Sequence, residues 1–176
     1  LLHTVEDARR LGVDGVCVMA FMGGEVEMRT YEILTRVVGD CAADGLPVMA
    51  EALPCPTNAI RNPNDAGPMA DASRIAFESG ADIVKTYYTG SPESFRRVVS
   101  CCPVPVMIAG GVKMPTVRAA LEVVHGSVAA GGTGVVFGRN IWQAPDPAAV
   151  VRSLSAIIKN GASVDAAMDI GGFSAG

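Results

Sequence analysis

Two hydrophobic textures alternate along this chain. Short, mostly apolar runs at residues 15–21, 46–53, 81–90, 104–109 and 134–137 are rich in valine, isoleucine and methionine, and each gives way to glycine or proline. They read as buried strands. Between them, apolar residues recur three and four apart, as in Val26, Ile33, Leu34, Val37 and Val38. That spacing predicts helices at 25–44, 69–79, 91–100, 115–130 and 146–160. A first helix is expected at 5–11, opened by a capping box of Thr4 with Asp7 and stopped by Gly12. Ser91 followed by Pro92, and Asp146 followed by Pro147, mark two further helix starts. Residues 54–68, rich in Pro, Asn and Asp, read as a long loop, and a loop of that length in a compact domain is usually functional.

Strands alternating with amphipathic helices imply an α/β domain with a parallel sheet covered by helices. No linker interrupts the pattern, so residues 1–170 are expected to be one domain, with 171–176 a flexible tail after one or two amphipathic turns. Two architectures compete, an open doubly wound sheet and part of a (β/α)8 barrel. The first strand-to-helix turn lacks a dinucleotide fingerprint, which weakens the doubly wound alternative.

Composition narrows the partners. The 176 residues are 49% hydrophobic and 18% charged, with a net charge of -4 and no basic run. A globular domain is implied, and nucleic acid and anionic membranes are disfavoured. No apolar run approaches the ~20 residues of a membrane helix, and Leu1-Leu2-His3-Thr4 leads directly into a charged segment without a signal-peptide pattern. The five cysteines are odd in number, Cys101 and Cys102 are adjacent, and none forms a Cys-x-x-Cys pair. Neither a disulfide framework nor a zinc site follows, and reduced thiols in the cytoplasm are expected.

In parallel α/β folds the chemistry collects at the C-terminal ends of strands. Those ends carry Phe21, Glu51, Lys85, the turn Ala109-Gly110-Gly111, and the turn Gly138-Arg139-Asn140. A lysine on an apolar strand needs a reason. It is either half of a structural ion pair or an amine kept available to attack a carbonyl. Glycine turns leading toward helices expose backbone N–H groups suited to phosphate, although two glycines after a strand are more often only a tight turn.

Three ordered segments carry a family resemblance. They are Asp82-Ile83-Val84-Lys85-Thr86-Tyr87-Tyr88-Thr89-Gly90, then Cys102 through Gly111 around Pro103-Val104-Pro105, then Gly138-Arg139-Asn140-Ile141-Trp142-Gln143. The chain resembles the archaeal-type class I fructose-bisphosphate aldolases, and equally the related autoinducer-2 thiolases and aminodeoxyheptulosonate synthases. The resemblance implies a (β/α)8 barrel, with the five strands here as its fourth to eighth. It implies Lys85 as the Schiff-base lysine and a small phosphorylated carbonyl substrate. The phosphate would be held by Ala109, Gly110, Gly111, Gly138 and Arg139. It also implies a homo-oligomer, with no cofactor and no metal, since an iminium replaces the metal as electron sink.

The same resemblance exposes departures. The family's first strand carries an Asp beside the lysine, and the offered replacement is Glu51. The family's tyrosine at the end of strand four is matched by Phe21, which moves no proton; Tyr88, or Tyr87, is the candidate in its place, against aromatic packing as the ordinary role. Lys113 is a further candidate for positive potential, or only a solvated loop residue. Three functions therefore stand side by side. They are a class I aldolase-type lyase, a thiolase that passes an acyl group to coenzyme A, and a decayed barrel that keeps only phosphate affinity. Unpaired sheet edges add an expectation of self-association.

Overall fold

The computed structural model of the chain describes residues 3–173. Five strands, β1 (Val16–Met22), β2 (Val48–Pro54), β3 (Ile83–Thr86), β4 (Val106–Ala109) and β5 (Gly134–Val136), form one sheet in that order. Every pairing is parallel. The helices are α1 (Val5–Leu11), α2 (Glu27–Ala42), α3 (Ala66–Glu78), α4 (Pro92–Ser100), α5 (Val117–Ala129), α6 (Arg139–Trp142), α7 (Pro147–Asn160) and α8 (Val164–Gly171).

Strand order decides between the two architectures. A doubly wound sheet reverses direction at a switch point, which puts helices on both faces. Here each strand neighbours the next, and right-handed crossovers then carry the connecting helices to one face. The burial pattern agrees. Along β2, Val48, Ala50, Ala52 and Pro54 are buried, while Met49, Glu51 and Leu53 are only half-buried. Helices thus cover one face, not the whole sheet as the uniformly apolar strands suggested. The opposite face carries Met19, Glu51, Lys85 and Met107, aligned by register.

The covered face contains the core. Phe95, Leu34, Met69, Ile108, Leu121 and Ile157 are its largest fully enclosed side chains. Phe95 sits beneath Tyr88, ring centroids 5.3 Å apart and edge to face. Phe95→Ala is expected to lower stability by about 3–5 kcal/mol, the usual cost of truncating an enclosed aromatic. Urea unfolding of the full-length protein checks this.

Local signals act as their chemistry dictates. Thr4 and Asp7 form the expected reciprocal cap on α1, and Gly12 closes it at φ 66°. The Ser91 hydroxyl accepts from the Ser94 N–H at the start of α4. Two boundaries differ most: β3 ends at Thr86 instead of running to Gly90, and α3 starts early. α3 begins at Ala66, not near Met69. Pro68 then falls in the first turn, where its missing N–H has no intrahelical partner to lose. At the other end, Gly171 closes α8 and Gly172 caps it at φ 73°. The flexible tail placed at 171–176 is therefore helical in its first residue, and its last three residues lie outside the described range.

Candidate active site

Register brings Lys85 and Glu51 together. β2 and β3 pair with Glu51 directly beside Lys85. The Lys85 Nζ donates to Glu51 Oε2 at 2.7 Å. The two side chains are 15% and 16% exposed, so the pair is largely shielded yet reachable. Met19 flanks Glu51 and Met107 flanks Lys85 in the same row. On the covered side, the Thr86 hydroxyl donates to Ala52 O at 2.9 Å. That bond pins β3 to β2 one residue beyond the lysine and fixes the backbone from which Lys85 projects.

The row above is less reactive. Phe21 aligns with Leu53, and neither side chain can move a proton. Tyr87 follows directly after the end of β3. A Cβ on Gly111 would stand 3.5 Å from its Cε1, so the Tyr87 ring lies against the first glycine turn. Tyr88 points the other way. Its ring packs on Phe95, and its hydroxyl sits where a Cβ on Gly126 of α5 would be. Burial raises the Tyr88 phenol above its ordinary range, and the charge of Glu93 adds in the same direction. The structure does not bring Tyr88 to Lys85. The chain leaves β3 at Thr86, and Tyr88 turns to the helix side, onto Phe95 of α4 and Gly126 of α5.

The two glycine turns are adjacent. β4 pairs with β5, aligning Ala109 with Val136. Ala109 is buried, so it offers only backbone. From strand spacing and rise, its Cα stands roughly 8 Å from that of Lys85. Gly111 takes φ 60°, a left-handed conformation that favours glycine. At Gly138 a Cβ would meet the outer edge of the exposed Trp142 ring, which would have to swing aside. Arg139 is exposed, and its Nη2 donates to Gly111 O at 2.6 Å. Lys113 is engaged with Gln143 O at 2.6 Å, not with the Lys85 pair. Asn140, named in the second turn but given no role from the sequence, is buried between the turns. An amide following Gly-Arg at the start of a one-turn helix was the signal for it.

The loop between β2 and α3 borders the same end of the sheet. Cys55 N donates to Met22 O at 2.7 Å, and Thr57 and Ile60 crowd the open side of Gly23. Among the described residues, no group of three or more His, Cys, Asp or Glu side chains gathers for a metal, and no helix is long and apolar enough to cross a membrane.

A family model described as DeoC/LacD family aldolase matches residues 1–144. The chain belongs to the DeoC/LacD aldolase family. Among similar members, the 2-amino-4,5-dihydroxy-6-oxo-7-(phosphonooxy)heptanoate synthase of Streptomyces griseus is 34% identical over 176 residues, which cover 100% of this chain and 64% of that protein. The 3-hydroxy-5-phosphonooxypentane-2,4-dione thiolase of Photorhabdus laumondii is 34% identical over 166 residues, covering 94% of this chain and 55% of that one. A solved archaeal fructose-1,6-bisphosphate aldolase, with its catalytic Lys covalently bound to the carbinolamine intermediate, superposes with a TM-score of 0.83 at 33% identity. It covers 88% of this chain and 62% of its own. The chain thus spans less than two thirds of the length of these relatives. Sequential parallel order and barrel-forming aldolase neighbours together make the fold part of a (β/α)8 barrel.

Proposed function

We propose that the chain supplies the reactive amine of a class I aldolase-type lyase acting on a phosphorylated ketose or related phosphorylated carbonyl compound. The observation that carries this reading is the shielded Lys85–Glu51 pair at 2.7 Å, on the open face of the sheet and beside the glycine turns. Relatives whose names contain a phosphonooxy group support the substrate class.

The geometry gives each group a task. Glu51 accepts a proton from the Lys85 ammonium. The freed amine adds to the carbonyl carbon, the C–N bond forms as the carbonyl electrons move to oxygen, and the oxygen takes the proton that the new ammonium nitrogen sheds. Glu51 returns its proton to the carbinolamine hydroxyl, which leaves as water, and an iminium remains. A base takes the proton of the hydroxyl on the far side of the scissile bond. The C–C electron pair then passes into the iminium and the aldehyde departs. The enamine is protonated on carbon, and water hydrolyses the resulting iminium to restore Lys85. The glycine turns anchor the phosphate, and Arg139, its Nη2 held by Gly111 O, adds positive charge from the other side of the first turn. We place the enzyme in the cytoplasm, where its five free thiols stay reduced, working as a homo-oligomer.

The second reading is a thiolase, favoured by the 34% identity to the Photorhabdus protein. There the same iminium would lose an acyl group to coenzyme A. Turnover separates the two. The lyase reading expects the full-length protein to join dihydroxyacetone phosphate to an aldehyde, and to cleave the aldol product, without coenzyme A. Turnover that appears only on adding coenzyme A establishes the thiolase instead.

A further inference from the structure

The Asn140 carboxamide ties the first glycine turn to the second. It is 7% exposed, and both ends of its amide are used. Oδ1 accepts from Met114 N at 2.7 Å, while Nδ2 donates to Gly110 O at 3.0 Å and Val112 O at 3.4 Å. Arg139 holds the intervening carbonyl of Gly111. Three successive carbonyls, those of Gly110, Gly111 and Val112, are therefore turned toward residues 139 and 140. In a trans peptide the following N–H points opposite the carbonyl. The N–H groups of Gly111, Val112 and Lys113 are thus turned away from that clamp. Among the described residues, none of the three donates to a protein acceptor, whereas the next one, Met114, does. A short series of unpaired backbone donors is a nest for an anion. The fit is close, since a Cβ on Gly110 would stand 3.2 Å from Asn140 Nδ2.

We infer that Asn140 is a positioning residue: by holding the carbonyls of 110 and 112 it aims the N–H groups of 111–113 at the substrate phosphate. This rests on the phosphate reading given above and names the side chain that shapes the cradle. The backbone supplies the donors, and Asn140 keeps them aligned without touching the phosphate. Its loss therefore weakens the hold on a phosphorylated ketone more than it slows the chemistry at Lys85.

The test uses borohydride trapping on full-length wild type, Asn140→Ala and Asn140→Asp, with dihydroxyacetone phosphate and dihydroxyacetone as probes. Amide hydrogen exchange at Met114 is followed in parallel. In both variants the half-saturating concentration of dihydroxyacetone phosphate should rise by about tenfold or more, while the limiting trapping rate falls by less than about threefold. The preference over dihydroxyacetone should shrink by the same factor. Met114 exchange should quicken about tenfold in Asn140→Ala and stay slow in Asn140→Asp, which keeps the accepting oxygen and the side-chain volume. If the alanine variant fails to fold, the aspartate variant decides. An unchanged half-saturation, or equal losses with both ketones, overturns the inference, as does unchanged Met114 exchange in the alanine variant. A wild type with no preference for the phosphorylated ketone would instead overturn the phosphate reading, and Met114 exchange would still judge the clamp.

Discussion

Lys85→Arg in the full-length protein is expected to show no covalent capture of substrate and turnover at the assay background. Arginine keeps a positive charge beside Glu51, so the pairing that orders the open face of β2 and β3 survives. Its guanidinium is not deprotonated in proteins, however, and cannot act as a nucleophile. The variant therefore separates the two reasons for a lysine on this strand. If Lys85 were only half of a structural ion pair, arginine would serve nearly as well and activity would persist. Lys85→Met makes the complementary point. It leaves the Glu51 carboxylate without its partner in a site only about one sixth open to solvent. It should cost about 1–3 kcal/mol of stability in addition to all activity. Thermal unfolding of the two variants beside the activity assay reads both effects.

Glu51→Gln is expected to slow formation of the Lys85 adduct roughly 10²–10⁴-fold while leaving the fold intact, the range over which a positioned proton-transfer group usually acts. Glutamine occupies the same volume and still accepts a hydrogen bond from the lysine, but it cannot take the ammonium proton or return one to the departing hydroxyl. The loss should fall on the trapping rate rather than on substrate affinity, because Glu51 faces the amine and not the glycine turns. Glu51→Asp, one methylene shorter, should recover part of the rate. A glutamine variant that traps substrate at the wild-type rate would assign the proton transfers elsewhere.

Much of this arrangement could be read in advance. Glycine stops, capping residues and the alternation of apolar runs with amphipathic stretches placed the strands and most helices, because each follows from local backbone chemistry. Strand order could not be read that way. Apolar residues on both faces of β1, β2 and β4 carry no parity signal, so periodicity alone left barrel and doubly wound sheet both open; the family resemblance pointed to the barrel, and the sequential strand order agrees. The contact between Glu51 and Lys85 spans 34 residues of chain and exists only through register. Strand-end position suggested each residue, the resemblance offered Glu51 as the carboxylate beside the lysine, and register supplies their direct contact. For Tyr88 the sequence left proton transfer and aromatic packing both open, and its ring packs on Phe95. Asn140 was visible as part of the second turn but its role was not, since its contacts depend on α6 folding back over residues 110–114.

The central claim is a covalent one, and peptide mapping after borohydride reduction tests it most directly. Full-length protein incubated with dihydroxyacetone phosphate, reduced, digested and read by mass spectrometry should carry the reduced adduct on the peptide containing Lys85, lost in Lys85→Arg. An adduct on any other lysine, or an unmodified Lys85 in protein that turns over its substrate, would contradict the account.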